Sequence, residues 1–115
     1  MKVMKRELKQ AVALDLVGDL TYDNRGVFKD AVEGVKRSGC RHLILNMEQV
    51  QFLDSSGLGL MALMSQNLKL THTRLSVVNP QSYVREIMSL ANIGKLVPIY
   101  NSEADALSDA SRAAA

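Results

Sequence analysis

Hydrophobic positions along the chain switch between two spacings, and the switches mark its elements. Val12, Leu14 and Leu16 alternate with Ala13, Asp15 and Val17, the period of a strand that buries one face more deeply than the other. Gly18-Asp19 breaks that pattern. From Asn24 to Arg37 the apolar residues fall at Val27, Phe28, Ala31, Val32 and Val35. This is a helical stripe, with Lys29, Asp30, Glu33, Lys36 and Arg37 left for solvent and Ser38-Gly39 as the stop. Val3 to Lys9 is a weaker, charged strand suited to a sheet edge, and His42 to Met47 is a short apolar run that predicts a buried central strand.

A loop holding Val50 and Phe52 precedes a second helix, carried by Leu58, Leu60, Met61, Leu63, Met64 and Leu68. Asp54, Ser55 and Ser56 at its start are all good N-cap types. Arg74 to Val78 predicts a further strand, ended by Asn79-Pro80. Tyr83, Val84, Ile87, Met88 and Leu90 mark a third helix that stops near Asn92 to Gly94. Val97 to Tyr100 predicts a short last strand, placed at an edge by Pro98. Ser102 then caps a helix through Ala104, Ala106 and Leu107. The order β-β-α-β-α-β-α-β-α implies an α/β fold with a largely parallel sheet and right-handed crossovers.

Composition narrows this picture without adding chemistry. A chain of 115 residues with 47% hydrophobic content fits one domain, residues 1–110, with an Ala-rich tail at 111–115 that frays. Such a core needs neither disulfides nor a metal. The methionines Met47, Met61, Met64 and Met88 lie inside apolar periodic segments and read as core. One cysteine, Cys40, precludes an internal disulfide and suits a reducing compartment. There is no apolar run of signal-peptide or membrane-helix length, so the expectation is a cytoplasmic protein with no direct membrane insertion. Lys2, Lys5, Arg6 and Lys9 are the only loose grouping within a net charge of +2, which does not make a nucleic-acid surface.

The polar, Gly-rich stretch from Asp54 to Gly59 stands where an apolar helix begins, and several chemistries fit its letters. Gly57-Leu58-Gly59-Leu60-Met61-Ala62 matches a dinucleotide-binding spacing. The strand before it ends about ten residues too early, however, and no acidic residue follows near Val77 or Val78 for a ribose. A hydrolase nucleophile elbow requires glycine two residues before the serine, where Leu53 and Asp54 stand instead. His42 and His72 show no triad spacing. A phosphorylation site suits the place, because unpaired N–H groups and the helix dipole accommodate a phosphate. A plain helix cap suits it too, and composition alone favours that bland assignment.

Phe52-Leu53-Asp54-Ser55-Ser56-Gly57-Leu58-Gly59 resembles the signature of the STAS-domain anti-sigma factor antagonists, an Asp-Ser-(Ser/Thr/Ala)-Gly-(Leu/Val)-Gly run. His42-Leu43-Ile44-Leu45-Asn46-Met47 is similar to that family's central strand, and Val17-Gly18-Asp19-Leu20 to its Gly-Glu-Leu-Asp segment. Ser89 to Leu96 is similar to the stretch before its last strand. The resemblance covers roughly Val3 to Leu107, and only the serine run is specific. It implies the STAS fold, a four- to five-stranded mixed β-sheet with about four helices mainly on one face. It also implies a non-enzymatic protein with no cofactor, no metal and no catalytic residue.

The same resemblance implies the partners. An anti-sigma factor serine kinase of GHKL type is bound by the unphosphorylated antagonist, which frees a sigma factor or other client. Phosphorylation of Ser55, with Ser56 as second choice, ends binding, and a PP2C-type serine phosphatase resets the switch. The partner-binding surface carried over is Asp19, Thr21, Asp23, Asp54, Ser55, Ser56, Gly57 and Leu58. Thr21 departs from the family pattern, where the position is commonly Asp, and Asp19 and Asp23 are the nearby carboxylates. An alternative within the family is a constitutive STAS subunit of a lipid-transport ABC complex or stress-signalling assembly.

Overall fold

The computed structural model describes the backbone of residues 1–114 and the side chains of residues 1–109. Five strands, β1 (Lys2–Glu7), β2 (Val12–Val17), β3 (His42–Gln49), β4 (Arg74–Val78) and β5 (Ile99–Tyr100), form one sheet in sequence order. β1 runs antiparallel to β2, and every later pairing is parallel. The helices are α1 (Arg25–Arg37), α2 (Ser55–Leu70), α3 (Ser82–Leu90) and α4 (Glu103–Ala114). α4 thus runs into the segment expected as a tail, and Ala115 lies outside the described residues.

Period-two burial puts Leu14, Leu16, Leu43, Leu45, Met47, Leu75 and Val77 on one sheet face. Phe28, Val32 and Val35 of α1, Met61, Met64 and Leu68 of α2, and Val84 and Met88 of α3 pack onto that face. All four methionines read as core are buried. The other face carries a smaller apolar cluster of Ala11, Ala13, Ile44 and Val78 beneath Ala106 of α4. Three helices therefore cover one face and one covers the other.

That second face is unusually polar. Arg6 Nε lies 2.6 Å from Asp15 Oδ2 and Arg6 Nη2 2.8 Å from Asp15 Oδ1, and the same guanidinium bonds Glu103 of α4. The Arg6 hydrogen bonds hold the Asp15 carboxyl below the usual carboxylate range, with help from Asn46. Arg74 reaches Asp109 of α4 at 3.2 Å. His42 is buried, 2.8 Å from the Ser76 hydroxyl. Burial and the nearby Arg74 charge push its pKa down to about 4.

The structure differs from the sequence patterns in two ways. β5 is confined to Ile99–Tyr100 because Val97 donates its N–H to Ile93 O at 2.8 Å and Pro98 has none to give. Of Val97 and Pro98, only the Pro98 carbonyl joins the ladder, accepting from Val77 N. The other difference lies on the helices, where Val27 of α1, Leu63 of α2, and Tyr83 and Leu90 of α3, all counted in apolar stripes, are exposed.

Candidate functional site

The chain leaves β3 through a tight turn in which Val50 N bonds Met47 O at 3.1 Å. Val50 and Leu53 are buried there, whereas Phe52 between them stays 40% exposed. Leu53 then pairs with Leu20 in an isolated parallel bridge. Leu20 N donates to Phe52 O at 3.0 Å, and Asp54 N donates to Leu20 O at 3.3 Å. The loop after β2 is thereby stitched to the start of α2.

Asp54 is extended, with φ −97° and ψ −178°, and caps α2. Its Oδ1 accepts from Gly57 N at 2.8 Å, one of the helix-start donors that otherwise has no partner. Its Oδ2 accepts from Tyr22 N at 3.1 Å, across 32 residues of sequence. The Gly57 N–H, with lesser contributions from other backbone N–H groups including that of Tyr22, holds the Asp54 carboxyl below the usual range. The carboxylate fixes two segments at once and is spent on that task.

Ser55 is the first residue of α2 and is exposed, while Ser56 is half-buried. Gly57 is buried, and a Cβ there would lie 2.4 Å from Leu20 O and 2.9 Å from Leu53 Cδ1. Glycine therefore serves close packing of the helix start on Leu20, not a phosphate cradle. Leu58 is half-buried against the core.

The loop after β2 is a 3-10 turn at Tyr22–Asn24, preceded by half-buried Thr21. Asn24 Nδ2 donates to Asp19 O at 2.8 Å, and Arg25 Nη1 to Tyr22 O at 2.6 Å. The Arg25 guanidinium lies 3.7 Å over the Tyr22 ring. Asp19 and Asp23 are exposed. The structure thus brings Asp19, Thr21, Asp23, Asp54, Ser55, Ser56, Gly57 and Leu58 to one end of the sheet. Gly57 lies beneath that surface and not on it.

Sequence reasoning missed the aromatic pair beside this turn. The rings of Phe52 and Tyr83 stack with centroids 6.4 Å apart and an interplanar angle of 24°. Tyr83 sits at helical spacing with Val84 and Ile87, so only its side of the helix distinguishes it from core. Phe52, between buried Val50 and Leu53, was the better clue. The histidines go elsewhere, since His42 opens β3 and His72 precedes β4. Both stand at the opposite end of the parallel strands from the serine turn, about 20 Å away along an eight-residue strand. No nucleophile–base pair forms there.

Fold and turn together define a small α/β domain that presents a capped, serine-bearing helix start on a surface shared by three loops. Residues 2–106 match the family model of the STAS domain, and the chain belongs to that family. The anti-sigma F factor antagonist of Paenibacillus polymyxa is 29% identical over 77 residues, 67% of this chain and 66% of that protein. The alignment thus spans just under two thirds of that relative's length. A crystal structure from Thermotoga maritima superimposes with a TM-score of 0.86 at 22% identity, covering 93% of this chain and 92% of that one. The anti-sigma factor antagonist SpoIIAA in its unphosphorylated form gives a TM-score of 0.79 at 20% identity, with 96% of each chain covered. The Bacillus SpoIIAA structure in the phosphorylated form gives 0.70 at 21%, with 95% of this chain and 99% of that one covered. Among the described residues, no helix is long and apolar enough to cross a membrane.

Proposed function

We propose that this chain is a phosphorylation-regulated anti-sigma factor antagonist, a binding protein and not an enzyme, acting in the cytoplasm. Its unphosphorylated form binds an anti-sigma factor serine kinase of GHKL type and releases the sigma factor or other client. Phosphorylation of Ser55 ends that binding, and a PP2C-type phosphatase restores it. The relatives' names support the role: one is an anti-sigma F factor antagonist, and SpoIIAA has structures in unphosphorylated and phosphorylated forms.

The observation that carries this reading is exposed Ser55 at the first position of a helix already capped by Asp54. A phosphate there adds about −1.5 to −2 charges. The positive end of the helix dipole tolerates it, so the fold survives. A partner closed over the same turn has to desolvate that dianion beside the Asp54 carboxylate. Each 1.4 kcal/mol lost weakens binding about tenfold, and an uncompensated buried charge costs several times that.

The test incubates the purified chain with a GHKL-type serine kinase of the same organism and ATP. Intact-mass and peptide mapping should find one phosphate, on Ser55. Calorimetry should show Ser55→Ala binding the kinase constitutively and Ser55→Asp failing to bind. Equal binding by wild type and both variants sinks the switch. Co-purification with a permease and ATPase, with Ser55 unmodified in cells, would instead favour a constitutive transport subunit.

A further inference from the structure

We infer that the stacked Phe52–Tyr83 pair is the apolar anchor by which the kinase grips this domain, a second contact region beyond the serine turn. The inference rests on the partner-switch reading above and adds the residues that hold the partner. Tyr22, Phe52 and Tyr83 belong to three successive connections, after β2, β3 and β4, or to the first turn of the helix that follows. All three therefore lie at the carboxyl ends of parallel strands, the edge where open α/β sheets gather their binding groups.

Size makes the contact hard to avoid. A standard protein–protein footprint covers about 800 Å² on each partner, a disc about 16 Å in radius. Phe52 precedes Ser55 by three residues, so the two are at most about 11 Å apart along the chain. The Tyr83 ring follows at 6.4 Å from Phe52. Tyr22 is tied to the turn by its N–H on Asp54. A footprint of that size centred on Ser55 takes in Phe52 and reaches toward the Tyr83 ring stacked on it.

Their exposure leaves them ready for it. Phe52 is 40% exposed, Tyr83 54% and Tyr22 56%. Gln81 Nε2 donates to Glu48 O at 2.8 Å, pinning the start of α3 to the end of β3, so the stacked pair is preorganised. Rigid, exposed aromatic groups within a footprint are typical of interface hot spots. Around them, Asp19, Asp23 and Glu48 are exposed and form no ion pair among the described residues. The cations at this end include the N-terminal ammonium beside Asn24, Lys2 on the edge strand, Arg85 against Asn101, and Arg25, whose guanidinium is laid over Tyr22. The complementary kinase face is therefore apolar opposite the rings, with charges of both signs around them.

The experiment measures Kd for the kinase that phosphorylates Ser55, held with a non-hydrolysable ATP analogue. It compares wild type with Phe52→Ala, Tyr83→Ala, the double variant, Ser55→Asp and Leu90→Ala. Thermal melts confirm folding, and exposed Tyr83 on a separate element keeps the test open if Phe52→Ala loosens the turn. Each single aromatic variant should weaken binding at least tenfold. The double variant should lose less than the product of the two, because the rings act as one unit. Leu90→Ala, at the other end of α3, should bind as wild type. Folded aromatic variants within twofold of wild type, with Ser55→Asp unable to bind, overturn this inference alone. Wild-type binding by Ser55→Asp overturns the partner-switch reading beneath it.

Discussion

The Cβ that Gly57 lacks would sit 2.4 Å from the carbonyl oxygen of Leu20. That oxygen is engaged in turn by the N–H of Asp54. The helix bearing Ser55 thus rests directly on the backbone of the loop after β2, with no room for a methyl group. Two glycines of one motif consequently behave differently. Gly57→Ala should destabilise the fold by about 1–3 kcal/mol through overpacking and disturb the Leu20–Leu53 bridge. Gly59 has nothing within 4 Å of its missing Cβ, and Gly59→Ala in the same helix should stabilise by about 0.5–1 kcal/mol. Urea denaturation of the two variants checks this, and equal effects would refute the close-packing assignment.

Asp54 divides its two oxygens between Gly57 N and Tyr22 N. Asn in its place keeps one carbonyl oxygen and turns an amino group toward the second N–H. Asp54→Asn should therefore keep the start of α2 while freeing the 3-10 turn at Tyr22–Asn24. Amide exchange read by NMR should accelerate at Tyr22 more than at Gly57. The folded carboxyl is depressed, so its contribution is present above the unfolded carboxylate range and is lost as pH falls through its lowered folded value. Wild-type protein should show the same loosening of Tyr22 at acid pH, and the variant should not change further.

His42 gives a pH dependence of its own, at the start of the central strand β3. Burial, helped by the Arg74 charge, lowers its pKa from 6.5 to about 4. Between those values the unfolded chain binds the proton and the folded one does not. The stabilisation is thus complete above 6.5 and is lost as pH falls toward 4. At about 1.4 kcal/mol per unit, the loss between pH 7 and pH 5 is about 2 kcal/mol. His42→Gln should flatten the stability profile across that interval in urea titrations. Parallel profiles for variant and wild type would reject His42 as the cause.

How far these features could be read from sequence follows from the range of the interactions behind them. β2, α1 and β4 were legible residue for residue, or nearly so, because Leu14–Leu16, Phe28–Val32 and Leu75–Val77 obey a single local period. The cap at Asp54 was legible as a type, since few residues suit that position. Its second bond, to Tyr22, was not, because it crosses 32 residues. β5 fell short of its pattern because hydrogen bonding, which hydrophobicity does not report, diverts Val97. The exposure of Tyr83 was hidden by a spacing that core and surface aromatics share. The polar clamp of Arg6 joins β1 to α4 over 97 residues, and no periodicity announces such a contact.

That clamp makes the docking of α4 electrostatic to an unusual degree. Among the described residues of the helix, Ala106 is its one buried apolar side chain, with Leu107 packed partly against the same cluster. Arg6 draws Glu103 to β1 and β2, and Arg74 with Tyr100 draws Asp109 to β4 and β5. Arg6 and Arg74 are each about a third exposed or more, so solvent screens their pairs and each contributes on the order of 0.2–1 kcal/mol. Weak pairs holding a sparsely buried helix make its opening sensitive to salt. Raising sodium chloride from about 0.05 to 0.5 M, a Debye length shrinking from roughly 14 to 4 Å, should speed amide exchange in α4 severalfold. β2 and β3 should not respond. Glu103→Gln should reproduce part of that acceleration at low salt, and Arg6→Gln more of it, because the latter also releases Asp15. Exchange in α4 that is indifferent to both salt and substitution would mean that apolar contacts, not the ion pairs, hold the helix down.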